Sequence, residues 1–98
     1  MHIKYKNKGL EKVCTIANDA VKKHGSKMAD AIHLRIDQIR SFETVEMLIQ
    51  FKIGRCHPLT GDRKDEYAMD LIHPYRLIFE KIEEQIQVVR IIDITDYH

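Results

Sequence analysis

The apolar positions of this chain repeat with two different periods, and the change of period marks a change of structure. Ile3, Lys4 and Tyr5 alternate apolar and charged, the period of a short strand. From Gly9 onward, Leu10, Val13, Cys14, Ala17, Ala20 and Val21 recur at three- and four-residue intervals, which predicts one amphipathic helix. His24-Gly25 supplies its stop, glycine suiting the left-handed closing position. Ser26 is expected to cap a second helix striped by Met28, Ile32, Ile36 and Ile39, and so short a turn predicts an antiparallel helix hairpin. Val45, Leu48 and Ile49 suggest one or two further helical turns within residues 42–51. Residues 54–63 are dense in turn formers and lack a period, so a loop is expected there.

The remainder reads as strands. Tyr67, Met69 and Leu71 alternate with Ala68, Asp70 and Ile72, and Pro74 ends the run. A second strand is expected over residues 75–81, a turn at Glu83-Glu84-Gln85, and a third strand over 86–94, rich in Ile and Val. Three strands joined by short turns predict an antiparallel meander, with the N-terminal strand at its edge. The expected fold is therefore α+β: an N-terminal strand and an antiparallel helix hairpin packed on a small antiparallel sheet.

Composition narrows the class. The 98 residues are expected to form one domain, 1–98, with one modest core. Hydrophobic residues make up 44% and charged residues 32%, as in a well-solvated globular protein, and no apolar run approaches a membrane span. The first residues lack the features of a secretory signal, so a cytoplasmic protein with no membrane partner is expected. Cys14 and Cys56 are far apart and without metal-ligand spacing, so buried thiols are the better reading and no zinc site or other cofactor is expected. A net charge of +1 lacks the basic excess of a free-standing nucleic-acid binder. Clusters at Lys4, Lys6, Lys8 and Lys12 and at Arg63-Lys64 allow either a basic cleft or a mixed solvated surface.

Three groups of residues could carry chemistry. Asp96-Tyr97-His98 offers an imidazole able to exchange protons near neutral pH, a carboxylate to orient it and a ring for base stacking; taken alone, it reads first as a frayed polar tail. His57-Pro58-Leu59-Thr60-Gly61-Asp62-Arg63-Lys64 could present Arg63 and Lys64 to a phosphate, or form a surface turn in which Asp62 pairs with Arg63. Arg76, on the opposite strand face from Tyr75, Leu77 and Phe79, could clamp a phosphate or pair with Asp70.

Taken together and in order, His57-Pro58-Leu59-x-Gly61-Asp62-Arg63, Tyr67, Tyr75-Arg76-Leu77-Ile78-Phe79 and Asp96-Tyr97-His98 resemble the HigB branch of the RelE/ParE toxin superfamily, the plasmid-maintenance killer protein family. Lys8-Gly9-Leu10 fits its opening strand-to-helix junction. The resemblance implies the toxin of a type II toxin–antitoxin system: a ribosome-dependent mRNA endonuclease that cuts without metal. In that chemistry a ribose 2′-OH attacks the adjacent phosphate, leaving a 2′,3′-cyclic phosphate. His57 and His98 would be the acid–base pair, Tyr97 would stack on or orient the substrate base, Asp96 would orient its neighbours, and Arg76 would stabilise the charged transition state. Thr60, Arg63 and Lys64 would contact RNA phosphates. Thr60 departs from the family's usual lysine and supplies no charge, and Pro74 stands where some relatives carry a polar residue.

The resemblance also implies partners. These are the ribosomal A site with its mRNA, and a HigA-type helix-turn-helix antitoxin through which alone the toxin would reach DNA. A ParE-like gyrase inhibitor is the rival within the superfamily. A catalytically weak homologue kept as an antitoxin and co-repressor partner is a third reading.

Overall fold

The computed structural model describes residues 1–96. Strand β1 (His2–Tyr5) leads into helices α1 (Lys8–Thr15), α2 (Ala17–His24), α3 (Ser26–Ser41) and α4 (Val45–Gln50). A single 3-10 turn, Ile53–Arg55, then precedes β2 (His57–Pro58), β3 (Glu66–Asp70), β4 (Tyr75–Glu83) and β5 (Val88–Asp96). The strands form one sheet in the order β1-β5-β4-β3-β2. The architecture is the expected α+β one. The sheet itself is mixed, because β1 joins β5 in parallel while every other pairing is antiparallel.

The helices cover one sheet face. Ile32, Ile36 and Ile39 of α3 and Leu48 of α4 meet Tyr67, Met69, Leu77, Phe79, Val89 and Ile91 in the core. Tyr67, part of the ordered motif, is therefore a core residue; its ring stacks on Phe79 with centroids 5.6 Å apart. Ala68 and Ile78 are also buried, yet they stand outside this cluster, on the face the helices leave open.

Several local expectations are corrected. The single helix predicted from Leu10 to Val21 is broken at Ile16, which is extended at φ −116°, ψ 113°. Asn7 caps α1 by accepting the Leu10 N–H at 2.8 Å. At the other end the Thr15 hydroxyl donates to the Glu11 carbonyl at 2.7 Å, and the β-branched Thr15-Ile16 pair closes the helix. A continuous apolar stripe cannot report such a break. Gly25 takes positive φ (85°) as expected, but it also serves as the N-cap of α3, so Ser26 is the first helical residue and makes no cap bond. The loop of residues 54–63 contains the short strand β2. The last turn runs over 84–87, which leaves Ile86 84% exposed, and β5 extends through Asp96.

Gln87 shows how that turn is tied down. It is buried, its Oε1 accepts the Val45 N–H at the start of α4 (2.8 Å), and its Nε2 donates to Glu46 Oε1 (2.7 Å). Glu46 Oε2 in turn accepts from Lys81 Nζ at 2.8 Å, and Lys81 also meets Glu84 at 3.3 Å. The Lys81 and Gln87 hydrogen bonds hold the Glu46 carboxyl below its ordinary value of 4.5. Burial opposes the charge on Lys81, but the bonds to Glu46 and Glu84 outweigh it and raise its pKa above 10.5.

The pH dependence follows from these two shifts. A depressed acid contributes stability above its unfolded pKa and loses it as pH falls through the folded value; a raised base contributes below its unfolded pKa and loses it as pH rises through the folded value. The network is thus fully effective between about pH 4.5 and 10.5. Urea unfolding of Glu46→Gln should show a loss of stability relative to the parent at pH 7 that shrinks at pH 3. An equal loss at both values would place the contribution elsewhere.

Candidate functional site

Register assembles the open face of the sheet. Directly opposed residues of an antiparallel ladder share a face. His57, Ala68, Ile78 and Asp93 therefore form one row across β2 to β5, and Asp70, Arg76 and Thr95 form the next. Glu66, Glu80 and Arg90 make a third row on the other side of the first. A one-residue bulge at Ile92 keeps Arg90 and Asp93 on this same face: Ile78 opposes Asp93 while Phe79 opposes Ile91.

The rows differ in charge balance. In the third row Arg90 donates to Glu80 at 2.7 Å, and Glu66 accepts from Arg63 at 2.9 Å, so each of these cations meets a carboxylate. In the second row, Asp70 lies between two guanidiniums, with Arg55 Nε at 3.2 Å and Arg76 Nε at 3.7 Å. One carboxylate thus bridges two guanidiniums, each meeting a different oxygen. These three residues, with Leu71, His73, Pro74 and Tyr75, line a cleft of about 130 Å³. Tyr75, 38% exposed, is the aromatic residue of this lining.

Arg55 reaches the cleft from a strained turn. Lys52, Gly54 and Arg55 all have positive φ (56°, 55° and 53°). For non-glycine residues this region costs about 1–2 kcal/mol each, and it persists only where the surroundings impose it. Here the constraint comes from Arg35 of α3. Its Nε donates to the Asp70 carbonyl at 2.7 Å and its Nη1 to Gln38 at 2.9 Å. A Cβ at residue 54 would lie 2.6 Å from Arg35 Nε. Glycine lets the turn close over the Arg35 side chain, and that closure sets Arg55 beside Asp70.

His57, two residues later, opens β2. Its Nδ1 lies 2.8 Å from the Arg55 carbonyl oxygen, which can only accept. Nδ1 therefore carries a proton, and in the neutral ring the lone pair sits on Nε2. His57 and Arg76 share the open face, two strands and one row apart. That corresponds to a Cα separation on the order of 12 Å from ordinary strand spacing.

The other expected residues divide. Asp96 is no tail: it closes β5 opposite Tyr75, one position past Thr95, which opposes Arg76. The roles expected of Tyr97 and His98 lie outside the described residues. Thr60, Arg63 and Lys64 are exposed in the loop between β2 and β3, at the Glu66 end of the sheet. Asp70 is two rows from Glu66, roughly 14 Å along the strand, so the structure does not bring this loop to the cleft. Arg63 pairs with Glu66 rather than Asp62. Arg76 pairs with Asp70, one of the two alternatives for it.

Arg55, Arg35 and the cleft position of Tyr75 went unforeseen. The signal for Arg55 was a cation following a glycine just ahead of His57; nothing local marks Arg35, which acts across 35 residues. Among the described residues, no group of three His, Cys, Asp or Glu side chains could hold a metal ion, and no helix is long and apolar enough to cross a membrane.

No family model and no curated protein sequence matches this chain. Solved structures do. A YoeB/ParE toxin from Agrobacterium tumefaciens superposes with a TM-score of 0.66 at 13% identity, covering all of both chains. A chain of the chromosomal ParDE TA system from P. aeruginosa gives 0.47 at 15% identity, covering 100% of this chain and 97% of that one. The first similarity establishes a shared fold.

Two outcomes follow from this geometry. Gly54→Ala should destabilise the protein by about 1–3 kcal/mol in urea unfolding, combining the positive-φ cost with displacement of Arg35; a change below about 0.5 kcal/mol would show that the turn tolerates a side chain. Burial pushes the thiols of Cys14 and Cys56 up to about 12. Neither should react with an aromatic disulfide reagent at pH 8 until the protein is unfolded.

Proposed function

We propose that this chain is the toxin of a type II toxin–antitoxin pair and acts as a metal-independent, ribosome-dependent mRNA endonuclease. One observation carries the reading: an imidazole of defined tautomer shares an open sheet face with a cleft holding two guanidiniums against one carboxylate. The neutral ring would present its Nε2 lone pair on the face where the two guanidiniums could meet a phosphate's oxygens. The ordered motif resemblance and the toxin fold support it from two further directions.

The chemistry assigns a task to each group. The ribose 2′-OH attacks the adjacent phosphorus, the O2′–P bond forms as the P–O5′ bond breaks, and charge builds on the non-bridging oxygens. His57 Nε2 is suited to take the 2′-OH proton, and Arg76 to meet the developing charge. The leaving 5′-oxygen needs a proton, for which His98 is the candidate. Tyr97 and Asp96 orient base and imidazole. His57 and His98 share the base and acid roles as a pair. The partners in this reading are the ribosomal A site with its mRNA and a HigA-type antitoxin, with DNA reached only through the latter.

A second reading has its own support. Thr60 lacks charge, and Arg63 is tied to Glu66 away from the cleft, which fits a weak nuclease retained mainly as an antitoxin and co-repressor partner. A ParE-like gyrase inhibitor is the other alternative.

Induced expression should yield messages cut on translating ribosomes, with 5′-OH ends downstream of each cut. His57→Ala, and truncation after Asp96, should each lower cleavage by about 10²–10⁴-fold while leaving the melting temperature nearly unchanged. Intact messages with arrested supercoiling would establish the gyrase reading; intact messages with normal growth would leave the partner role.

A further inference from the structure

Asp70 occupies the place that the chemistry of the cleft assigns to a phosphate. Its two oxygens are used by different guanidiniums: Oδ2 faces Arg55 Nε at 3.2 Å and Oδ1 faces Arg76 Nε at 3.7 Å. A phosphodiester offers the same arrangement, one negative charge over two non-bridging oxygens. The two arginines are held differently. The Arg76 side chain is 17% exposed and fixed in the middle of the sheet, whereas that of Arg55 is 74% exposed. An ion pair so open to water is weak and exchanges readily.

The geometry points to Arg55 as a phosphodiester-binding residue, with Asp70 as its internal stand-in for the substrate phosphate. Without RNA, the carboxylate keeps the two guanidiniums from repelling each other. When RNA arrives, Arg55 turns its planar fork from Asp70 to the phosphate, beside Arg76, and the weak exposed ion pair is exchanged for a charge-assisted contact to the phosphodiester. The choice of RNA as ligand rests on the nuclease reading above; the clamp itself rests on the cluster.

Two features make Arg55 more than a surface cation. Its backbone is held in the left-handed region by the turn over Arg35, which aims the side chain at the cleft. Its carbonyl also receives the His57 Nδ1–H. The same residue thus binds the phosphate through its side chain and positions the imidazole through its backbone. Phosphate and base are kept in fixed relation.

Binding tests this without requiring catalysis. The probe is a fluorescein-labelled 2′-O-methyl RNA oligonucleotide, which cannot be cleaved, and anisotropy gives its affinity over a range of salt. Arg55→Ala should weaken binding about tenfold and reduce the slope of log K against log salt by about one. Arg55→Lys should recover only part of the loss, because a point charge replaces a fork. Asp70→Asn should tighten binding several-fold at low salt by removing the competing anion. Lys27→Ala, on an exposed position of α3, is the control for general charge. The clamp is overturned if Arg55→Ala matches that control, if Asp70→Asn weakens binding in a protein of unchanged melting temperature, or if the parent does not bind. A parent that binds RNA but never cuts it leaves the clamp standing and removes the nuclease reading.

Discussion

The parity of strand β4 is the constraint on which the rest of the structure depends. Side chains alternate across a strand, so odd-numbered Leu77 and Phe79 enter the helix-covered core while even-numbered Arg76, Ile78 and Glu80 take the open face. β3 and β5 pair with β4 on either side and inherit that division through their registers. A slip of one residue would send Arg76 into the core and Leu77 into water, reversing every contact of the site. Phe79, fully buried and stacked on Tyr67, resists such a slip. Core packing therefore specifies the register, and the register specifies which charged groups meet.

The electrostatics of the open face follow. One end is occupied by matched pairs, Arg90 with Glu80 and Arg63 with Glu66; the other carries two guanidiniums on Asp70. A molecule whose formal charge is only +1 can in this way gather two guanidiniums at one end of a sheet face. The whole-chain charge says little about where cations gather, because sheet register decides which of them share a face. Arg35 extends the same logic into the scaffold. Its bond to the Asp70 carbonyl and its place beneath Gly54 link the longest helix to the turn that delivers Arg55.

Away from the cleft, the polar groups tie elements together. Gln87, Glu46 and Lys81 join the β4–β5 turn to the start of α4, and with them the far end of the sheet to the helix layer. A buried amide of this kind is stable because both ends of its side chain are satisfied.

Local pattern determined much of this protein by itself. The helix stripes, the three-strand meander, the glycine turn at Gly25 and the helical turns near Leu48 follow from periods and breakers that short stretches carry whole. His57, Arg76 and Asp96 are legible as candidates because their residue types and order are written in the chain. Tertiary structure alone decided the parallel pairing of β1, the break at Ile16, the seating of Asp96 within β5 and the partners of each charge. It moved the Arg63 loop away from the cleft and brought Arg55 into it. The physical reason is range: propensity and periodicity act over one or two turns of chain, whereas a shared carboxylate or a sheet register depends on residues tens of positions apart, which meet only when the core has packed.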